Sequence, residues 1–301
     1  MTHDPMRAML DGLRGVVREG VSLAALTHLR IGGPAQVFVE AVTEQDVVDV
    51  VRFCRDYGVR LRILGGGSNV LIGDQGVSGV VLSLERLNRI VRDGERLSVG
   101  AGMSVPGLIR LSREQGLAGL EVLTGVPAQV GGVVAMNAGT REGETFDIVE
   151  SLLLVDPQGE LREVARAECH PVYRDGGLAG SVVVRATFRL RPDDPRAIRE
   201  RFENYLRYRN ATQPITEHSV GCVFRNPKGD AAGRLIEQAG CKLLRQGGIS
   251  VSGKHANYFI NDQNGTCADF VRLIDVVRTR VFDAFGVHLE LEVQAWDVAG
   301  L

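Results

Sequence analysis

The sequence predicts an α+β fold in two regions. Three features predict it. Short strand patterns follow one another as far as Leu190 with only two helical stripes among them, Arg191-Pro192-Asp193-Asp194-Pro195 then breaks the rhythm, and a more helical block follows. A length of 301 residues suits about two domains, and 44% hydrophobic against 24% charged residues is ordinary globular usage that supports a sizeable core. With 35 Lys+Arg against 37 Asp+Glu, the chain has no global attraction for nucleic acid or for an anionic membrane. No apolar run approaches the roughly 18 residues of a membrane-spanning helix, and the start MTHDPMRAMLDGLRG lacks an apolar signal core. A soluble, cytoplasmic protein without membrane insertion is therefore expected. Cys54, Cys169, Cys222, Cys241 and Cys267 show no C-x-x-C pair and no zinc-type spacing, which argues against a disulfide framework and against a metal site.

After a short N-terminal segment, Gln36 to Val42 reads as a strand. Thr43 opens a helix with Asp46 at the capping-box offset; Val47, Val50, Val51 and Cys54 form its apolar stripe, and Gly58 closes it. Val59 to Ile63 alternates as a strand. Val77 to Leu84, Ile90 to Arg92 and Leu97 to Val99 continue as short strands, and Ser104 with Pro106 begins a helix that stops at Gly116. Strands return at Ile148 to Val155, turn through Asp156-Pro157-Gln158-Gly159, and resume at Leu161 to Val164 and Ser181 to Leu190. Beyond the break come a charged helix from about Arg196 to Arg209, a loop-and-strand stretch from Gln213 to Arg225, and a short helix from Ala231 to Ala239. A long helix starts at Thr266, with Asp269 at the capping-box offset, and ends at Gly286. Val287 to Val293 reads as a final strand, free to return to either region.

Glycine is the informative excess, 37 residues against 5% aromatics, because clustered glycine marks close backbone approach or positive φ. Leu64-Gly65-Gly66-Gly67-Ser68-Asn69 follows a strand, and its converging N–H groups suit a diphosphate oxygen. It is neither a P-loop nor a G-x-G-x-x-G turn, and a purely structural turn competes with the phosphate reading. Leu123 to Gly139 (LTGVPAQVGGVVAMNAG) is apolar and almost uncharged, as backbone laid against a large flat ligand would be; a buried strand-turn-strand segment fits it equally. Arg30-Ile31-Gly32-Gly33-Pro34-Ala35 is a third such loop. Together they point to an extended dinucleotide or similar cofactor.

These motifs resemble a known family. Thr27 to Ala35 (THLRIGGPA), Leu64 to Asp74 (LGGGSNVLIGD), Gly119 to Glu144 (GLEVLTGVPAQVGGVVAMNAGTREGE), Tyr173-Arg174, Gly221 to Pro227 (GCVFRNP) and Ser252 to Asn261 (SGKHANYFIN) are similar, in order, to the UDP-N-acetylenolpyruvoylglucosamine reductases, flavin-dependent enzymes of peptidoglycan precursor synthesis. The resemblance implies an FAD-binding region of the vanillyl-alcohol-oxidase/PCMH type over 1–192, built from two α+β subdomains at about 1–85 and 86–192, to which the 288–301 strand is free to return. It implies a C-terminal α+β substrate domain over 193–287. Non-covalent FAD, NADPH as co-substrate and a UDP-sugar carrying an enolpyruvyl ether follow, and the short span before Gly221 resembles the class without a substrate-capping loop. A monomer without nucleic-acid partners is the expected state. By the same resemblance Arg30, Ile31, Gly32, Gly33, Leu64, Gly65, Gly66, Gly67, Ser68, Asn69, Thr124, Gly125, Val126, Pro127, Gly131, Gly132, Asn137, Ala138 and Gly139 bind the cofactor. Tyr173, Arg209, Gln213, Asn226, Lys254, His255 and Asn257 bind the sugar nucleotide.

Reducing an enolpyruvyl ether needs hydride at the terminal methylene carbon, a cation to steady the enolate that forms, and a proton donor. The resemblance assigns the hydride to flavin N5, the cationic role to Arg174 with Glu292 beside it, and the proton to Cys222. A guanidinium suits the carboxylate because its planar fork gives two parallel charge-assisted bonds, and pre-placed charge of this kind is worth about 3 kcal/mol in the transition state. A thiol with an ordinary pKa near 8.5 is mostly protonated at neutral pH, so Cys222 must escape strong acidification. Alternation puts Glu290 and Glu292 on one side of the expected final strand. Leu291 stands where the family usually has Pro, and Gln294 where it has Arg or Lys. His28 and His218 read as structural. A flavin oxidase of the same fold and a non-catalytic flavin or nucleotide sensor are the competing functions.

Overall fold

The computed structural model describes residues 12–301; the start of the chain, read above as lacking a signal core, lies mostly outside them. Two units share the chain. Of the described residues, the first takes 12–20, Gln36–Gly66 and Gly79–Arg207, and the second takes Val21–Ala35, Gly67–Ser78 and Tyr208–Leu301.

In the first unit a four-stranded sheet has the order Val16–Ser22, Pro34–Glu40, Val77–Ser83, Leu61–Leu64, the last two strands parallel. A five-stranded antiparallel sheet has the order Leu161–Ala165, Val149–Val155, Val182–Arg189, Arg96–Gly100, Ile90–Asp93. The helix Glu44–Asp56 starts where its capping box dictates: Asp46 N–H donates to Thr43 Oγ1 at 3.1 Å, and Thr43 N–H donates back to Asp46 Oδ2 at 2.8 Å. Its stripe of Val47, Val50, Val51 and Cys54 joins Val39, Leu82, Leu97 and Phe188 in one core. Each such side chain contributes roughly 2 kcal/mol on leaving water. The helix Val105–Glu114 is capped by Ser104 and followed by Gly116 at φ 66. Arg191-Pro192, expected as a break, forms instead a two-residue strand antiparallel to Leu117–Ala118, and the helix Pro195–Thr212 begins soon after.

The second unit is built on an antiparallel sheet ordered Ser219–Cys222, Tyr258–Asn261, Ile249–Val251, Arg245–Gln246. The helix Cys267–Phe285 buries Phe270, Leu273, Ile274, Val277 and Val281. Thr266 and Asp269 form its capping box, Asp74 accepts from the Cys267 and Ala268 N–H groups at 2.8 and 3.1 Å, and Gly286 ends it at φ 67. The expected strand Val287 to Val293 is displaced: the final strand is Gln294–Trp296, parallel to Val70–Ile72. The reason is that 290–293 spend their backbone groups on the 223–225 segment. Arg225 N–H donates to Glu290 O, Glu292 N–H donates to Val223 O, and the one bridge in this stretch is Phe224 to Leu291.

Candidate active site

The first unit carries the central glycine loop, the front of the Leu64 loop, and Tyr173-Arg174. The segment 123–139 is neither a bare loop nor a strand-turn-strand. It holds a six-residue helix, Val130–Ala135, in which Val130, Val133 and Val134 are buried and Gly131 N–H donates to Ala101 O at 2.8 Å. A Cβ on Gly131 would sit 3.0 Å from that of Ala101, so glycine here serves close packing. Other glycines border space. A Cβ on Gly132 would meet nothing within 4 Å, one on Gly65 would meet only Gln129 Oε1 at 3.7 Å, and one on Gly66 would stop 3.4 Å from Pro127 O and Ala128 Cα. Gln129 Oε1 is buried and has no hydrogen-bond partner among the described residues. An open glycine surface beside an unsatisfied buried acceptor fits a ligand that brings hydrogen-bond donors, as the hydroxyl and imide groups of FAD do. Thr124 is buried with its hydroxyl donating to Glu121 O at 2.6 Å; Gly125, at φ 78, Val126 and Pro127 continue from it.

Asn137, Ala138 and Gly139 end this loop against the Arg174 turn. Asn137 is buried at φ 40; its amide donates to Glu144 Oε2 at 2.8 Å and to Val172 O at 3.3 Å, and its oxygen accepts from Phe146 N–H. Val172 and Asp175 exchange both backbone hydrogen bonds around Tyr173-Arg174, with Arg174 held at φ 59. Arg174 Nη1 donates to Gly139 O at 3.5 Å, and its guanidinium lies 4.9 Å from the Tyr173 ring centroid. The left-handed backbone costs a non-glycine residue about 1 kcal/mol, a strain of the kind that clusters at functional sites.

The second unit holds the remaining predicted residues. Here the glycines serve packing: a Cβ on Gly33 would lie 2.3 Å from Gly76 N, and one on Gly67 2.4 Å from Leu26 O. Arg30, at φ 61, donates to Ala25 O, Ile31 is in the core, and Gly32 O accepts from Ala24 N–H. Ser68 is half-buried. Asn69 donates to Glu292 O at 3.3 Å, and Gln294 N–H donates to Asn69 O.

One polar cluster gathers around Tyr258. Its Cα is paired with that of Cys222 across two strands, its hydroxyl donates to Gln213 Oε1 at 3.1 Å, and Arg209, Cys222 and Glu292 act on its phenol electrostatically. Burial, with Cys222 adding to it, pushes the Tyr258 phenol far above its ordinary pKa. Lys254 Nζ donates to Asn210 O. Asn226 caps the helix Ala232–Gln238 through Ala232 N–H, and the buried Asn257 amide both donates to and accepts from the Phe224 backbone. Burial holds the His255 imidazole below its usual range, and it does the same to His28, where His218 and Arg30 add positive charge. The other four thiols are core residues: burial pushes Cys54 up to about 11, Cys267 up to about 12, and Cys169 and Cys241 upward.

Sequence reasoning passed over Tyr258 and Gln129. Gln129 had a visible signal, a long amide inside an apolar stretch. Tyr258 lay inside the Ser252 to Asn261 motif with nothing there to set it apart, because its place opposite Cys222 is a fact of strand register.

Residues 213–296 match the family described as UDP-N-acetylenolpyruvoylglucosamine reductase, C-terminal domain, and residues 35–165 match the FAD binding domain. The UDP-N-acetylenolpyruvoylglucosamine reductase of Moorella thermoacetica is 39% identical over 95% of this chain and 98% of its own length. This chain belongs to that family. It is accordingly an oxidoreductase with an FAD-binding domain. The crystal structure of the UDP-N-acetylenolpyruvylglucosamine reductase from Thermus caldophilus is similar with a TM-score of 0.81 and 34% identity, covering 94% of this chain and 99% of that one. The 6-hydroxy-D-nicotine oxidase of Arthrobacter nicotinovorans is similar over 64% of this chain and 44% of its own, with a TM-score of 0.51 and 22% identity, which shows a shared fold alone. The family's α+β architecture with an FAD-binding region of the vanillyl-alcohol-oxidase/PCMH type is therefore that of this chain. No helix among the described residues is long and apolar enough to cross a membrane.

Proposed function

We propose that this chain reduces the enolpyruvyl ether of UDP-N-acetylglucosamine enolpyruvate to UDP-N-acetylmuramate, with NADPH as electron source, in cytoplasmic peptidoglycan precursor synthesis. The observation that carries the reading is the gathering of Cys222, Glu292, Arg209 and Gln213 around Tyr258, since a thiol acid, a carboxylate, a cation and an amide are the groups this substrate calls for. Gly65, Gly66, Gln129 and Gly132 hold FAD, which when bound supplies the hydride at the cost of NADPH. Cys222 gives its proton to the carboxylate-bearing carbon of the substrate, and solvent restores it. Arg174 grips the substrate carboxylate as negative charge builds there, and Glu292 orients the same group. Arg209, Gln213 and Lys254 offer donors to the diphosphate and uracil.

The test is the visible spectrum of the purified protein under anaerobic conditions. It is expected to be yellow, to bleach with NADPH, and to recolour with the enolpyruvyl UDP-sugar. A colourless protein, or one recoloured only by air, contradicts the reading.

A further inference from the structure

Tyr258 is the hub of the polar cluster in the second unit. Residues directly opposite on antiparallel strands share a face with Cβ atoms about 5 Å apart, so the Cα pairing of Tyr258 with Cys222 lays the ring along the thiol. The residue is only 7% exposed. Its hydroxyl is clamped to Gln213 Oε1 at 3.1 Å, and the His255 ring stands edge-on to it with centroids 4.9 Å apart. With its one O–H directed at Gln213, the phenol oxygen still has two lone pairs to accept with. Arg209 engages the oxygen, and Cys222 and Glu292 act on it electrostatically. Burial disfavours the charged phenolate.

We propose that Tyr258 is a positioning residue for proton transfer: its clamped phenol fixes the direction in which the Cys222 thiol presents its proton. This rests on the reading of Cys222 as the proton donor. In that step the S–H bond of Cys222 breaks, a C–H bond forms at the carboxylate-bearing carbon from the enolate electron pair, and Tyr258 keeps its own proton throughout.

Tyr258→Phe removes the hydroxyl and keeps the ring. With this variant, bleaching by NADPH is expected at the wild-type rate, while recolouring by saturating enolpyruvyl UDP-sugar slows at least tenfold and its solvent deuterium isotope effect rises, as misaligned proton transfer becomes limiting. In the ligand-free protein, iodoacetamide is expected to label Cys222 at least threefold faster once the thiol is released. Gln213→Leu, which cuts the clamp and spares the tyrosine, is expected to raise the isotope effect likewise, and it carries the test if Tyr258→Phe fails to bleach. Variants that recolour at the wild-type rate with an unchanged isotope effect overturn the positioning role alone. Wild-type protein that does not recolour overturns the proposed activity and this proposal together.

Discussion

Asn137 donates its side-chain amide to the carbonyl oxygen of Val172 at 3.3 Å and thereby ties the end of the central glycine loop to the turn that presents Arg174. The same amide holds Glu144, and its oxygen takes Phe146 N–H. Asn137→Ala leaves the buried Phe146 N–H without its acceptor and the half-buried Glu144 carboxylate without its donor, so a loss of about 2 kcal/mol in urea unfolding is expected, together with reduced turnover from a loosened Arg174 turn. Unchanged stability would show that the amide is dispensable.

Arg174 is held in a conformation that glycine prefers. Arg174→Gly is therefore expected to raise stability by about 1 kcal/mol while turnover disappears. Arg174→Lys keeps the strain and loses turnover at least a hundredfold, because a point charge cannot reproduce the guanidinium fork. Melting and steady-state rates measured on the pair separate strain from chemistry.

The glycines divide into two kinds, and substitution is expected to divide them the same way. Gly132→Leu projects into open space, so the protein should fold and lose its yellow colour as the side chain fills the FAD surface. Gly33→Ala forces a Cβ to 2.3 Å from Gly76 N and should yield little folded protein. A yellow Gly132→Leu variant would remove Gly132 from the cofactor surface.

Acid sensitivity is expected to reside partly in Asp269. The Thr266 N–H in its capping box, helped by Gly248 N–H, holds this carboxyl below its ordinary pKa of about 4. A folded pKa below the unfolded one contributes stability that is fully present above about pH 4 and is lost as pH falls through the folded value. Asp269→Asn should flatten the fall in stability below pH 4, measured by urea midpoints across that range. An unchanged slope would place the acid sensitivity elsewhere.

Local signals were legible in the sequence, and non-local ones were not. Thr43 with Asp46 and Thr266 with Asp269 announce their helices because a capping box needs only residues three apart. The final strand was misread because Val287 to Val293 has the better alternation, whereas Gln294–Trp296 pairs with Val70–Ile72 from the other end of the chain. Val16–Ser22 gave no signal, being mostly exposed along its length. Cys222 stood out by motif, but its neighbour Tyr258 is set by register, and the pocketed Gln129 oxygen by the folding of two glycine loops onto each other.

Cys222→Ala under anaerobic stopped-flow absorbance tests the central claim most directly. The account predicts that NADPH bleaches the variant's flavin at the wild-type rate and that the enolpyruvyl UDP-sugar then fails to restore the colour. Recolouring at the wild-type rate would contradict it.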